Sequence, residues 1–122
     1  MFSKQVIFIS GGSGSWGQEL TQQLLERYDV KQIRIFSRGE HAQVKMRQKF
    51  DNSPKLKFYI GDVRDESRVQ EAMKDVDYVF HLAALKHVPV VEHNPWESVL
   101  TNICGTQNVI NGAKKYGVKK MI

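Results

Sequence analysis

The stretch Ser10-Gly11-Gly12-Ser13-Gly14-Ser15-Trp16-Gly17 decides the fold class of this 122-residue chain. It follows a short apolar run, Gln5 to Ile9, and it leads into a helical pattern over Gln18 to Tyr28. Three glycines spaced three residues apart, between a strand and a helix, are typical of the first turn of a dinucleotide-binding βαβ unit. The stretch therefore predicts a phosphate-binding loop, with an ordinary turn as the alternative.

Each glycine of this loop has a predicted task. Gly11 would allow the tight turn, Gly14 would let the backbone approach a pyrophosphate, and Gly17 would let the helix pack closely on the strand. Backbone amides at the helix start would then face the phosphates. We expect Trp16 to serve packing more than chemistry. The loop residues predicted to contact a cofactor are Gly11, Ser13, Gly14, Ser15, Trp16 and Gly17.

Outside the loop, apolar runs alternate with helical patterns along the chain. Nearly continuous runs of this kind suit strands that are buried on both faces of a parallel sheet. The order predicts an α/β fold, a Rossmann-type doubly wound parallel sheet, with the ligand site beyond the carboxyl ends of the strands. The predicted strands are 5–9, 32–36, 56–60 and 78–82, and the further helices are 40–50, 66–73 and 95–116, with Asn94 as a cap and Gly117 past the end.

The end of the second strand, Phe36-Ser37-Arg38-Gly39, indicates the type of cofactor. Sites that prefer NAD usually place an acidic residue there, about 20 residues after the glycines, to hold the ribose 2′-hydroxyl. Here Ser37 and Arg38 offer a hydroxyl and a guanidinium, and arginine pairs well with phosphate. The pattern favours NADP over NAD, with a solvated surface arginine as the alternative for Arg38.

Two further strand ends carry candidate cofactor contacts. Asp62, followed by Val63, is predicted to accept a hydrogen bond from the adenine amino group. A helix cap is the alternative for Asp62, although Asp65 fits that task better. Ala83 and Ala84 follow the fourth strand, where small side chains let backbone pass beside a cofactor or simply pack tightly.

Composition limits the remaining function classes. The net charge of +5 is spread over every segment instead of forming one basic run, so nucleic acid is not an expected partner. Cys104 is the only cysteine, which rules out an internal disulfide and a two-cysteine metal site. The apolar run Val6 to Ile9 is too short for a secretory segment or a membrane span. We expect a cytoplasmic protein with no membrane partner and no metal.

Several motifs together resemble the extended short-chain dehydrogenase/reductases. The loop SGGSGSWG is similar to their TGxxGxxG, with Ser10 in place of threonine, and Asp62-Val63 matches their adenine-contacting pair. The strings IFSRGE, KLKFYIGDVRD, HLAALKHVP and TNICGTQNVI narrow the resemblance to the inverting UDP-N-acetylglucosamine 4,6-dehydratases and related polysaccharide-biosynthesis dehydratases. The resemblance covers essentially the whole chain. Gly39 departs from it, since such proteins usually show an acidic residue there.

This resemblance implies a reaction in which bound NADP acts as an internal relay. Hydride leaves C4 of the sugar, water is eliminated across C5 and C6, and the hydride returns to C6 with inversion at C5. The implied substrate is a UDP-sugar, UDP-N-acetylglucosamine, used in bacterial surface polysaccharide or glycan biosynthesis, and we expect a homo-oligomer at full length. Lys86 would contact the cofactor and position the sugar nucleotide, with a surface lysine as its alternative. Asn102 would support the cofactor site.

In such enzymes an Asp-Lys pair and a Tyr-x-x-x-Lys follow the fifth strand, beyond Ile122. We therefore expect residues 1–122 to form an NAD(P)-binding domain that is truncated before the catalytic and substrate-binding portion, with no catalytic residue of its own. Two alternatives remain: a nucleotide-sugar 4-epimerase on the same scaffold, and a non-catalytic NADP-binding module.

Overall fold

The computed structural model describes residues 1–83 and 95–122, and the side chains of 1–83 and 102–122. Within these ranges, five parallel strands form one sheet in the order β3-β2-β1-β4-β5. The strands are β1 (Val6–Ser10), β2 (Gln32–Ser37), β3 (Leu56–Ile60), β4 (Tyr78–His81) and β5 (Lys120–Met121), and the helices are α1 (Ser15–Arg27), α2 (Glu40–Lys49), α3 (Glu66–Met73) and α4 (Pro95–Lys115). The predicted α/β fold is confirmed.

The central strand β1 explains why its sequence is apolar at every position. Ile7 and Ile9 pack on one face with Leu24 of α1, whereas Val6 and Phe8 pack on the other face against α3 and α4. All five residues of β1 are buried. A strand covered by helices on both sides needs apolar side chains in both directions, and burial of this kind is the main stabilising contribution to the fold.

The prediction that all strands are buried on both faces is wrong for β3. This strand lies at the edge of the sheet beyond β2, where its side chains are only partly covered. Ile60, at its end, is 46% exposed. An apolar run indicates that its side chains favour burial. The position of the strand in the sheet decides how much of their surface neighbouring strands and helices can bury.

The order of the strands changes direction at β1. From β1 the chain moves outward through β2 to β3, and it then returns to pair β4 with the opposite edge of β1. In open α/β sheets this switch point opens a crevice beyond the carboxyl ends of the strands, where ligands bind. The fold therefore places the predicted glycine loop, which follows β1, at that crevice.

Turns and helix ends agree with several predictions. Gly117 has a φ of 63° just after α4, as a residue past a helix end requires, and Asp51 and Asn52 have positive φ in the predicted turn before β3. The carboxylate of Asp65 accepts a hydrogen bond from the amide of Arg68, so Asp65 caps α3 as expected. The predicted cap Asn94 lies outside the described residues.

Candidate dinucleotide site

A cleft of about 480 Å³ opens at the carboxyl ends of β1, β2 and β3. Its volume falls within the usual range for small-molecule sites. Most of the residues predicted as cofactor contacts in the described part of the chain line it. The lining consists of Gly11, Ser13, Gly14, Phe36, Ser37, Arg38, Gly39, Gly61, Asp62, Val63 and Ala83. The tertiary structure thus brings residues of four separate predicted segments to one site.

Gly11 makes the turn that joins β1 to this cleft. Its φ is 68°, a conformation that favours glycine. A Cβ at this position would lie 2.8 Å from the backbone nitrogen of Ala83, so the loop and the end of β4 touch through their backbones. The tight turn predicted for Gly11 is confirmed. The close approach also explains why backbone at the end of β4 forms one wall of the cleft.

Gly17 has a different neighbour from the one predicted. A Cβ at Gly17 would lie 2.2 Å from the carbonyl oxygen of Gly12, so Gly17 packs on the backbone of the loop itself and not on the strand. This contact holds the start of α1 under the loop. Amide groups in the first turn of a helix have no carbonyl partner within the helix, and the helix dipole favours an anion there. The start of α1 therefore has the features that favour an anion, and the predicted phosphate contact of the loop remains a prediction.

The prediction that Trp16 serves packing is wrong. Its side chain is 74% exposed in the first turn of α1. Ser15 beside it is exposed as well. Ser15 and Trp16 lie on the exposed side of this turn, whereas Gly17 is buried, and the cofactor contacts predicted for Ser15 and Trp16 remain predictions.

At the end of β2, two hydroxyls and one buried amide form a hydrogen-bonded group. The Oγ atoms of Ser13 and Ser37 lie 2.9 Å apart. The Nε2 of Gln43, on α2, donates to Ser37 Oγ at 2.9 Å and to the carbonyl of Tyr59 at 2.8 Å. Gln43 is only 3% exposed. Sequence reasoning missed Gln43, although its spacing of three from the buried Met46 indicates an inward-facing position.

Arg38 extends over the same end of β2. Its side chain is 57% exposed, and its Nη1 atom lies 3.9 Å from a carboxylate oxygen of Asp62. The distance is at the outer limit of an ion pair, and exposed pairs contribute little to stability. The guanidinium therefore has hydrogen-bonding capacity left for a ligand in the cleft.

Asp62 is an ionised acceptor whose carboxylate is held mainly by Arg64. One oxygen accepts from the backbone amide of Arg64 at 2.9 Å, and the other accepts from its guanidinium at 2.9 Å. Partial burial raises the pKa of Asp62, but the hydrogen bonds and charge of Arg64, with the charge of Arg38, outweigh it and leave the pKa below its ordinary value. The adenine contact predicted for Asp62 would share this carboxylate with Arg64.

Val63 and the last helix are linked by an asparagine that was not predicted. The side chain of Val63 is 6% exposed and packs in the core, while its carbonyl accepts a hydrogen bond from Asn108 at 2.9 Å. The predicted supporting residue, Asn102, is exposed on α4, and its role remains a prediction. Asn108 was overlooked because a buried asparagine in a helix gives no signal until its partner is known.

A half-buried histidine joins the ends of β1 and β4. His81 Nδ1 lies 2.6 Å from Ser10 Oγ, and its Nε2 lies 3.0 Å from Thr106 Oγ1 on α4. Ser10 Oγ also accepts from the amides of Leu82 and Ala83, which leaves its own proton for His81. Burial lowers the pKa of His81, so the ring is neutral. This group sets the spacing of the two strand ends that enclose the cleft.

Two predicted residues, Ala84 and Lys86, lie outside the described residues. The sequence also contains one Tyr-x-x-x-Lys spacing, Tyr116 to Lys120. Tyr116 follows the end of α4 and Lys120 begins β5, with Gly117 between them at positive φ. Because no helical turn connects them, and both lie at the amino end of the sheet, this spacing has no place in the cleft.

Metal-ligand clusters of three or more histidine, cysteine or acidic residues are absent from the described residues. In the same part of the chain, no helix has both the length and the apolar character needed to cross a bilayer.

Comparison with known proteins gives a consistent result. The chain is 51% identical over its full length to the UDP-N-acetylglucosamine 4,6-dehydratase (inverting) of Campylobacter jejuni, and 49% identical to a UDP-glucose 4-epimerase of Rickettsia bellii. It spans 36% of the length of each. The crystal structure of DesIV, a dTDP-glucose 4,6-dehydratase from Streptomyces venezuelae with NAD and TYD bound, matches 95% of this chain and 38% of DesIV, with a TM-score of 0.84 and 26% identity.

A family model provides the assignment. The model described as polysaccharide biosynthesis protein matches residues 7–122, which includes the glycine loop, the β2 end and all of α4. This chain therefore belongs to the polysaccharide biosynthesis protein family, with the Rossmann-type fold of the dehydratases and epimerases.

Proposed function

We propose that this chain binds NADP in the cleft at the carboxyl ends of β1, β2 and β3. The observation that carries the proposal is the pairing of Ser37 and Arg38 at the end of β2, where a cofactor with a 2′-phosphate meets a hydroxyl and a guanidinium. A free carboxylate at this place would repel that phosphate. The carboxylate of Asp62, which lines the same cleft, is already held by Arg64. The pyrophosphate would lie on the amides of the glycine loop at the start of α1.

The residues of this chain fit a nicotinamide dinucleotide by shape as well as by charge. Gly11 lies close to the backbone of Ala83, and Gly17 lies close to the backbone of Gly12. Because no side chain extends from either glycine, the backbone amides of the loop stay accessible to a pyrophosphate. The carboxylate of Asp62 is ionised, as a hydrogen-bond acceptor for the adenine amino group must be. Ala83 offers backbone and a small side chain beside the expected position of the ribose and nicotinamide.

We further propose that the protein acts as an inverting UDP-N-acetylglucosamine 4,6-dehydratase in polysaccharide or glycan biosynthesis. The 51% identity to the Campylobacter jejuni enzyme supports this assignment, although the chain spans only 36% of that enzyme. When bound, the cofactor supplies hydride transfer without net oxidation. The residues described here bind and orient the cofactor, and Lys86 would position the UDP-sugar. A homo-oligomeric state and a cytoplasmic location are part of the same proposal.

A 4-epimerase is the second candidate, because the Rickettsia bellii relative is 49% identical over the same region. Both reactions need the same cofactor cleft, and the cleft therefore does not distinguish them. The products do, since dehydration removes one water from the nucleotide sugar and epimerisation leaves its mass unchanged.

The test uses the full-length protein incubated with UDP-N-acetylglucosamine and analysed by mass spectrometry. Loss of one water supports the dehydratase, whereas an unchanged mass with a new C4 epimer supports the epimerase. Mass analysis of the cofactor released on denaturation is expected to give NADP; release of NAD would contradict the assignment of Ser37 and Arg38. Tightly bound NADP without turnover of any UDP-sugar would favour a non-catalytic binding module.

A further inference from the structure

Beneath Arg38, the side chains of Ser13, Ser37 and Gln43 form a group whose hydrogen-bond directions are fixed by chemistry. Gln43 reaches this group from α2 and is buried, while Ser13 and Ser37 line the cleft. The Oγ atoms of Ser13 and Ser37 are 2.9 Å apart, and the Gln43 amide lies 2.9 Å from Ser37 Oγ.

The carbonyl of Tyr59 determines the orientation of the Gln43 amide. A backbone carbonyl only accepts hydrogen bonds, so the group that faces it at 2.8 Å must be the NH2 of Gln43 and not its oxygen. The second hydrogen of this NH2 lies between two acceptors of Ser37, and its Oγ at 2.9 Å is closer than its carbonyl oxygen at 3.3 Å. Ser37 Oγ therefore accepts a hydrogen bond from the buried amide.

A count of protons shows what the two hydroxyls offer to the cleft. Ser13 and Ser37 carry one hydroxyl proton each, and the bond between them uses one. The other proton cannot point at Gln43, because the group facing Ser37 is itself a donor. Neither hydroxyl has another acceptor among the described residues. Whichever serine donates to the other, one proton remains directed to the cleft, next to Arg38.

We propose that Gln43 is a specificity-determining positioning residue, which makes the Ser13–Ser37 pair a hydrogen-bond donor toward an anionic group such as the 2′-phosphate of NADP. This inference rests on the proposed NADP site. Gln43 does not contact the ligand. Gln43 donates to a lone pair of Ser37 Oγ. The two serine hydroxyls then present a hydrogen, and not a lone pair, to the ligand. An anionic acceptor gains more from such a donor than a neutral 2′-hydroxyl does, because hydrogen bonds to charged groups are stronger.

The first experiment replaces Gln43 with methionine, which has a similar size and no donor. The hydroxyl pair is then free to turn a lone pair toward the cleft. We expect the ratio of the NAD and NADP dissociation constants, measured by calorimetry on cofactor-free full-length protein, to fall about fivefold, the difference between a charged and a neutral hydrogen bond. NAD affinity should change less than twofold. Gln48→Met, at an exposed position of the same helix, is the matched control and should leave the ratio unchanged.

A second measurement covers the case in which Gln43→Met does not fold. Ser37→Ala alone should lower the NADP preference, because it removes the hydroxyl that Gln43 directs. If Gln43 acts through Ser37, adding Gln43→Asn, which keeps a polar but shorter side chain, should lower the ratio no further than Ser37→Ala alone does. An additional loss in the double variant would overturn the proposal.

Other outcomes separate this inference from the proposed function. A folded Gln43→Met variant with the unchanged preference for NADP overturns the role of Gln43 and leaves the NADP site standing. Equal weakening of NAD and NADP means that Gln43 serves only to hold β2 and β3 together, and it also overturns the role. A protein that prefers NAD before any substitution contradicts the NADP site itself, and the inference fails with it.

Discussion

Clefts open at both ends of the parallel sheet, and the polar groups that line them have different partners. The cleft at the amino end is the larger, about 640 Å³ against about 480 Å³. There, Arg34 donates to the carbonyl of Ala72 at 2.9 Å, and Asp77 accepts from the amide of Val6 at 2.8 Å. At the carboxyl end, the loop amides and the Ser13–Ser37 pair keep donors for a ligand. At the amino end Arg34 and Asp77 therefore bond to backbone, whereas at the carboxyl end the hydroxyl pair faces the cleft.

The direction of the chain explains this difference. In a βαβ unit each helix begins near the carboxyl end of the preceding strand and ends near the amino end of the next, so helix starts collect on one side of the sheet. Helix starts offer unpaired amides and positive dipole ends, and helix ends offer carbonyls and negative ones. Arg34 satisfies carbonyls at the end of α3, which is a structural task.

The largest effect is expected from Gly17→Ala, which tests the tight packing of the carboxyl end. In an ordinary helix this change would stabilise by about 1 kcal/mol. Here the new Cβ would lie 2.2 Å from the backbone oxygen of Gly12, which no side-chain rotation relieves. We expect the free energy of unfolding in urea to fall by about 2–4 kcal/mol, the cost of forced overpacking.

Gly39→Ala is the control, since its Cβ would meet only the side chain of Ala42 at 3.7 Å. This variant meets no clash and should lower the free energy of unfolding by at most about 1 kcal/mol, the cost of placing alanine at the N-cap of α2. Equal effects of the two substitutions would show that the loop relaxes more easily than its geometry indicates.

A smaller effect is expected from Arg34→Met, which tests the amino end. The variant loses the hydrogen bonds to carbonyls of Ala72 and Lys74 and should lower the free energy of unfolding by about 1–2 kcal/mol. Its affinity for NADP, measured by calorimetry, should equal that of the unchanged protein. A marked loss of NADP affinity with intact stability would contradict the division of tasks between the two ends.

The smallest effect concerns the pH dependence of the His81 group between β1 and β4. Burial lowers the pKa of His81 in the folded state, so the unfolded chain takes up a proton first as the pH falls. The stabilisation from the neutral ring is complete above the ordinary histidine pKa of about 6.5 and is lost as the pH falls below it toward the lower folded value.

Urea unfolding at about pH 7.5 and about pH 5.5 measures this contribution. His81→Gln should reduce the drop in the free energy of unfolding between the two pH values, whereas the same substitution at the exposed His41 should leave the drop unchanged. An undiminished drop in His81→Gln would show that other groups control the acid sensitivity.

Much of the site could be predicted from the sequence because its backbone features are local. The turn at Gly11 and the Ser37-Arg38 pair lie directly after single strands, so neighbouring residues are enough to predict them, whereas α1 begins at Ser15, three residues before the predicted Gln18. The packing of Trp16 and the neighbour of Gly17 were predicted wrongly, since both depend on which surface the loop folds against.

The sequence by itself determined the α/β order, the glycine loop and the absence of an acidic residue directly after β2, because strand, turn and helix preferences act over a few neighbouring residues. Only the tertiary structure decided that β3 is a partly exposed edge, that Gln43 turns the hydroxyls of Ser13 and Ser37, and that Asn108 holds the carbonyl of Val63. These outcomes depend on hydrogen bonds and packing contacts between residues that are distant in the chain. The direction of a hydrogen bond is fixed only when both partners are in place.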